Sequence, residues 1–484
     1  MRKISLLFFA LCVFLASSLH AQVGINILIP DSSAVLQLES NKKGLGLPRL
    51  TEVQKNAIPN PLRGLTIFNT TDSFVEYWTG QCWLRAYQND CDQCAFTASI
   101  DDPTDTLDRI VDDSVFSTIT IDKTFSTKQV NVSYIVSPPN GVTVYADGNT
   151  TIDSSGQIKL VVKADIFADD GLVPIVIIAY CGDQIKLLSY NVYIEPCVKV
   201  TIPLDVTNYD LQAVNPIPLP AGSRKCVVLT VNGNVEVHSA TASKPSYTTG
   251  NLDPLSKVGI VNNGAFLGRG GDGGYGGTFN SFPPGQVGGN GGNALNLTTR
   301  TILKNNGAIY GGGGGGGSVG LQTPNINVGG INLCIALGVG GGGGSENGLG
   351  GGQGNGSCLF NLFTSGTNAT SGVNSVPGQG ATLSVPVPIT ISFVTITITP
   401  SGTGGDGGPY GQPGGSGSVN LTLRFCVSIP IIGSVCANIP IPGLPVNGAP
   451  GGAAGLAVKR NNNPLTNLPD ANYNTNQVKG TVAP

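Results

Sequence analysis

Glycine is spread so unevenly along this chain that its two halves must fold by different rules. Of 70 glycines in 484 residues, 13 fall in residues 1–250 and 57 in residues 251–484. In the second half the glycines are ordered. Arg269, Asp272 and Tyr275 stand three apart with glycine pairs between them, as do Val287, Asn290 and Asn293, and Thr403, Asp406 and Pro409. An unbroken run of seven covers Gly311 to Gly317. A spacing of three is the pitch of an extended left-handed helix of the polyproline II type, which makes no internal backbone hydrogen bonds. Two faces lined only by glycine let such helices approach until their amides reach carbonyls on neighbours. A flexible linker would mix glycine with serine and little else. Here the runs alternate with apolar stretches at 295–303, 331–337, 383–398 and 419–432, which need burial. Collagen needs one unbroken register of glycine triplets, and a phosphate loop needs a Gly-Lys-Ser/Thr ending; neither is present. The expected form of residues 255–460 is a bundle of polyglycine II helices with interspersed strands.

The fold class expected for the whole chain is mainly β. Residues 260–268, Ile-Val-Asn-Asn-Gly-Ala-Phe-Leu-Gly, return as 303–311, Leu-Lys-Asn-Asn-Gly-Ala-Ile-Tyr-Gly, so a strand, a turn and a glycine segment repeat as a stacked unit. Upstream, 95–200 carries closely spaced β-branched strands with turn signals at Pro138-Pro139-Asn140-Gly141 and Asp169-Asp170-Gly171, the pattern of an Ig-like β-sandwich. A β-rich connector is expected at 201–254 and a tail at 461–484. The small module at 22–94 has short strands, with Thr51 and Gln54 spaced as a capping box ahead of one or two helical turns. Arg2 and Lys3, an apolar run to Ala16 and small residues to Ala21 make 1–21 a secretory signal. Ten cysteines then remain, an even number that favours disulfides in an exported chain. Local pairing predicts Cys82 with Cys91 or Cys94, Cys181–Cys197, Cys334–Cys358 and Cys426–Cys436, with Cys226 joining a cysteine near residue 90.

Val23-Gly24-Ile25, Leu47-Pro48-Arg49, Gly64 to Thr70, Tyr77-Trp78, Gly80 and Trp83 resemble a module at the start of secreted Bacteroidetes proteins, and are similar to segments of phage tail fibres. That resemblance implies a structural or oligomerising connector. Asn305 to Tyr310 followed by Gly311 to Gly317, with glycine islands at 268–277, 285–292, 338–356, 402–417 and 448–455, resembles the receptor-recognising adhesins at the tips of phage long tail fibres. It implies a glycine-helix sandwich whose loops at one end bind cell-surface receptors. The signal segment, which a fibre tip assembled in the cytoplasm does not need, points to an exported surface protein using the same scaffold.

Chemistry is sparse. Once residues 1–21 are set aside, His238 is the one histidine, and without a compelling partner it reads as structural or exposed. With net charge −3 and no dense basic patch, nucleic acid is not an expected partner. No catalytic residue, metal or cofactor is expected. The aspartates at 101, 102, 105, 108, 112 and 113 lack the spacing of a helical calcium loop and read as a solvated face. Binding falls to loop aromatics, which give contact area at low entropic cost: Tyr275, Phe279, Phe282, Tyr310, Phe360, Phe363 and Tyr410. The competing reading for each is a cap over an apolar layer. The expected protein is an adhesin for a cell-surface glycan or outer-membrane protein, secreted or on the cell surface, with homo-oligomerisation through the N-terminal module. The alternative is a purely structural filament component.

Overall fold

The computed structural model describes residues 22–86, 94–111, 113–125, 128–182, 184–214, 224–276, 285–322, 326–328, 331–333, 336–353, 363–364, 368–440, 448–467 and 476–484. The segment 1–21, Cys91, Cys334, Cys358, Phe279, Phe282 and Phe360 lie outside them. Two compact units divide the chain: residues up to Phe96 with Lys123–Val130 and Tyr180–Gln184, and the remainder.

In the first unit, Val23–Ile25 pairs in parallel with Leu36–Leu38. A four-stranded sheet follows in the order Arg49–Leu50, Thr66–Asn69, Phe74–Trp78, Trp83–Arg85. The helix Glu52–Asn56 starts at Thr51, whose hydroxyl accepts from the Gln54 amide at 3.3 Å while the Gln54 side chain accepts from the Thr51 amide at 2.9 Å, the expected capping box. Cys94 is bonded to Cys181, 87 residues away, which excludes a Cys82–Cys94 bond. Cys82 is itself disulfide-bonded.

The second unit is almost wholly β. Residues 95–194, most of which fall in this unit, form two sheets, an arrangement consistent with the expected sandwich. One has the order Thr151–Ile152, Val130–Val136, Gly171–Cys181, Gln184–Ile194, Thr104–Leu107, and the other Val142–Asp147, Gly156–Ala164, Ser114–Phe125, Ala95–Ile100. Strict alternation in Gly156–Ala164 and Gly171–Cys181 turns Ile158, Leu160, Val162, Val173, Ile175 and Ile177 inward.

From Val198 the chain winds into five stacked coils with three parallel faces. The first face is Val198–Ile202, Cys226–Val231, Lys257–Asn262, Arg300–Asn305, Leu465–Asn467. The second is Val206–Thr207, Glu236–His238, Ala265–Leu267, Ala308–Tyr310, Val478–Lys479, and the third Tyr209–Asp210, Tyr247–Thr248, Leu295–Asn296, Val458–Lys459, Val482–Ala483. In-register pairing stacks like on like: Val200, Leu229, Ile260 and Leu303 form one interior ladder and Val206, Val237, Phe266 and Ile309 another. Most of these side chains are buried; each aliphatic one contributes about 1.5–3 kcal/mol. At the corners Asn262 donates to Asn305 (2.7 Å) and Asn306 to Asn263 (2.9 Å). The repeat seen in the sequence is this coil-to-coil register.

Two expectations change here. Residues 201–254 supply the first coils and residues 461–484 the last one, so neither is a separate connector or tail. The pairing Cys181–Cys197 is replaced by Cys197–Cys226, because the register that places Val198 beside Val227 places those cysteines side by side. Cys226 therefore does not reach the cysteines near residue 90. Cys426–Cys436 forms as expected.

The glycine-bearing segments are inserted at one corner of the coils, between the second and third faces. They are 268–276, 285–293, 311–318, 340–345, 348–353, 368–372, 377–381, 404–408, 413–417 and 448–456. Hydrogen bonds show them alternating in direction along the chain. Gly271 and Gly274 donate to Gly313 and Gly316, a parallel pair, whereas Gly312 and Gly315 donate to Gly292 and Gly289, an antiparallel one.

Candidate functional site

The segment 311–318 lies at the centre of the bundle. Its successive amides turn to different neighbours: Gly314 donates to Gln412, Gly315 to Gly289 and Gly316 to Gly342, and three residues on from Gly314, Gly317 returns to the first neighbour at Gly415. Its carbonyls accept from three more segments: Gly313 from Gly271, Gly314 from Gly408 and Gly315 from Gly452. Six segments thus surround one, joined by backbone alone. No side chain fits. A Cβ on Gly313 would lie 1.8 Å from the Gly408 oxygen, on Gly315 2.0 Å from the Asp272 oxygen and on Gly317 1.9 Å from the Ala449 oxygen.

Alternating direction gives the bundle two ends. At the near end stand the coils and the tight turns at 346–347, 373–376 and 409–412. The far end, about 20 Å away at ~3.1 Å per residue, receives the longer connections. The chain leaves there after residues 276, 318, 353, 381 and 417, and re-enters at 285, 340, 368, 404 and 448. Described at this end are the hairpin Val319–Gln322 with Ala336–Val339, the pair Ile326–Val328 with Ile331–Leu333, and a sheet in the order Thr382–Ser384, Val394–Thr403, Ser418–Ile429, Gly433–Pro440, with Val387–Ile391 also on Val394–Thr403. The inner part of this sheet is buried at Ile396, Ile398 and Leu421, but Phe393, Ile431, Ile432 and Val435 are exposed, so the burial expected for these stretches stops short of the hairpin tips.

The aromatics singled out from sequence divide between the ends. Tyr275 is exposed at the far end, where its carbonyl accepts from the Ser318 hydroxyl at 2.5 Å. The backbone of Phe363 pairs with Ala336 beside it. Tyr310 and Tyr410 are at the near end. Their rings meet at 5.0 Å, the Tyr310 hydroxyl donates to the Asn476 carbonyl (2.6 Å), and the Lys479 ammonium lies 4.7 Å over the Tyr310 ring. Tyr410 is buried and donates to Glu346 at 2.6 Å. These two aromatics cap the junction between bundle and coils instead of lining a loop surface.

That junction contains an ionic cluster which sequence reasoning missed. His238, on the second face of the coils, places Nδ1 3.4 Å from Glu346 and Nε2 3.2 Å from Glu236. The bond with Glu346 raises the imidazole pKa above its ordinary value, against the opposing effect of burial. Burial alone would push Glu346 up; hydrogen bonds from His238, Tyr410 and Asn347, with the attraction of His238, outweigh it and hold the carboxyl below its usual range. With both ring nitrogens facing carboxylates, His238 is placed to bridge ions, not to activate a nucleophile. The only sequence signal was that Glu346 is one of very few acidic residues among the glycines.

Several acidic groups have partners of their own. Glu52, Asp72 and Glu76 lie together in the N-terminal module. Lys55 bridges Glu52 at 2.7 Å and Glu76, and Arg85 pairs with Asp72 at 2.9 Å, so two basic side chains face the three carboxylates. Asp101 accepts from the Ser117 hydroxyl at 2.7 Å and from the Thr118 amide, which brings its pKa down to about 2. Asp113 pairs with Lys257.

The family described as phage tail fibre adhesin Gp38 matches residues 197–482, more than half of the chain. The family described as phage tail like trimerisation region matches residues 24–99. The chain matches none of the curated proteins. Among solved structures, a family 123 glycoside hydrolase from Clostridium perfringens, solved in work on glycolipid glycan hydrolysis, is similar over 24% of this chain and 31% of its own length, at 9% identity and a TM-score of 0.18. The similar stretch spans about a third of that chain, and at this score it bears on neither fold nor activity here.

Proposed function

The chain belongs to the phage tail fibre adhesin Gp38 family, and on that premise we propose that it binds a cell-surface glycan or an outer-membrane protein through the connections at the far end of its glycine bundle. Neither matched family is catalytic, and the chain is a binding protein of tail-fibre or adhesin type, not an enzyme. The trimerisation region supports homo-oligomerisation. Both matches carry an extracellular or surface-associated role.

The glycine segments are read as polyglycine II helices. The three-residue step of the bonds around Gly314 to Gly317 supports this, since that is the step of a threefold helix. The scaffold reading matters for function because a core made of backbone leaves the far-end connections free to vary. Residues 22–94 are read as the assembly module, 95–200 as a spacer sandwich, and 1–21 as a signal that exports the protein to the surface of the cell that makes it.

The observation that carries the proposal is the separation of ends: long connections at one, coils and tight turns at the other. Tyr275 is the described aromatic best placed to take part, with the connections holding Phe279, Phe282, Phe360 and Phe363. The test replaces 277–284 and 354–367 by short Gly-Ser links in the full chain. Binding is then measured on whole cells, immobilised surface polysaccharides and outer-membrane proteins. Loss of binding with unchanged circular dichroism is expected. Binding that survives the exchange but disappears on removal of residues 24–99 would refute the adhesin reading in favour of a structural filament component.

A further inference from the structure

The far-end sheet finishes in two hairpin tips that stand side by side. Val387–Ile391 turns through Ser392 and Phe393 into Val394–Thr403, and Ser418–Ile429 turns through Pro430, Ile431 and Ile432 into Gly433–Pro440. Val394 pairs with Val427, and the Ser428 amide donates to the Phe393 carbonyl at 2.8 Å, which fixes the tips together. The strand Val394–Thr403 has 10 residues and carries the tips about 30 Å beyond the glycine segments at ~3.3 Å per residue.

Ile391, Phe393, Ile429, Ile431, Ile432 and Val435 are all exposed there. The sheet's one charged residue, Arg424, lies five positions back from Ile429. The hydroxyls next to the tips satisfy one another: Thr390 with Thr395 at 3.2 Å and Ser428 with Ser434 at 3.0 Å. In the second tip the Ile432 amide donates to the Ile429 carbonyl at 3.2 Å. Ile431 holds a φ of 85°, a region that β-branched residues avoid and that glycine or asparagine would occupy at lower cost. Turn formation therefore does not explain an isoleucine at this position. Backbone strain of this kind is a recognised mark of functional positions. Cys426–Cys436 ties together the two strands that carry this tip.

We propose that the paired tips insert into the apolar layer of a phospholipid membrane. A protein partner would meet a rim of free donors and acceptors around an apolar centre. These tips instead present an uncharged, apolar surface on which the Thr390, Thr395, Ser428 and Ser434 hydroxyls are paired among themselves, and each polar group paired in this way lowers the cost of entering hydrocarbon. No helix among the described residues is long and apolar enough to cross a membrane; the contact proposed is insertion of the tips at the surface. The absence of charge at the tips fits a zwitterionic surface and makes the interaction indifferent to salt.

This inference rests on the far end being the binding end, and the test separates the two. The full chain is mixed with phosphatidylcholine vesicles and floated on a density gradient at about 0.1 M and about 1 M NaCl. Flotation at both salts is expected. Paired Ile431→Asp and Ile432→Asp substitutions should lower the bound fraction by at least about tenfold, as should Phe393→Asp on the other tip. Ile431→Trp should show a blue-shifted emission on the vesicles. Failure of the wild-type chain to float, its release by salt, or equal flotation of the variants would overturn the inference. So would binding only to vesicles that carry an outer-membrane protein. If the variants lose vesicles and still bind cells, lipid insertion stands and the receptor contact lies elsewhere on the far end. If they float unchanged but lose cells, insertion is refuted and the adhesin reading survives.

Discussion

A single methyl group at the centre of the bundle should be enough to disrupt it. In Gly316→Ala the new Cβ would lie 1.8 Å from the Gly405 oxygen and 2.5 Å from the Gly405 carbonyl carbon. Ordinary contact begins near 3.4 Å, so that carbonyl must retreat by about 1.5 Å. The Gly405 carbonyl accepts from Gly342 (2.9 Å), and the Gly405 amide donates to Gly317 (2.8 Å). A shift of that size breaks the first bond and strains the second. At about 1–3 kcal/mol for each of the two buried groups left unpaired, the loss is about 2–6 kcal/mol. The stiffer unfolded chain of an alanine variant returns about 0.4–1 kcal/mol. A net loss of about 1–5 kcal/mol remains, a large part of the ~5–15 kcal/mol that holds a domain folded. The control is Gly415→Ala, whose Cβ would meet its nearest atom, the Asp406 nitrogen, at 3.3 Å. It should cost less than about 1 kcal/mol. Trp78 and Trp83, the only tryptophans, lie in the N-terminal module, so fluorescence would report the wrong unit. Calorimetric unfolding, with amide exchange at Gly313 to Gly317, is the suitable assay. Equal midpoints for the two variants would refute direct backbone packing as the source of the bundle's stability.

The junction cluster predicts a pH dependence. His238 has a raised pKa, so its contribution is complete below its unfolded value of 6.5 and is lost as pH rises through the higher folded value; Glu346 has a lowered one, so its contribution is complete above 4.5 and is lost as pH falls through the lower folded value. The pair is therefore most stabilising between pH 4.5 and 6.5. The difference in unfolding midpoint between wild type and His238→Gln should shrink from pH 6 to pH 9, and a constant difference would show that the contact is not ionic. Removing residues 24–99 should reduce the mass seen by sedimentation to that of one chain; an unchanged mass would place the assembly contacts elsewhere. Replacing Cys426 and Cys436 by serine opens a link 10 residues apart. It should cost about 2–3 kcal/mol locally, read as faster amide exchange in 418–440 while exchange at Gly313 to Gly317 is unchanged.

Sequence reading reached the parts of this fold that are governed by local rules. Thr51 and Gln54 announced a cap because a capping box spans three residues. The return of 260–268 as 303–311 was visible because those two stretches are stacked neighbours, Ile260 on Leu303 and Phe266 on Ile309. The other coils were hidden: a glycine bundle inserted at a corner puts Val458 next to Leu295 in space and far from it in the chain. Proximity along the chain suggested Cys181 for Cys197, whereas stacking register chose Cys226. The same blindness to register concealed the meeting of His238, Glu346 and Tyr410. Tyr410 looked like a loop aromatic because nothing local reveals that the turn at 409–412 folds back onto Glu346, 64 residues earlier.

The direction of the glycine segments has a mechanical consequence. A ligand held at the hairpin tips while liquid flows past would pull along those segments, away from the coils. The bonds that Gly311 to Ser318 exchange with their six neighbours lie across that pull. They would be loaded in shear and share the tension, where a hairpin peeled from one end gives way bond by bond. A grip built in this way should fail first at the ligand, and the stalk should outlast the bond it presents.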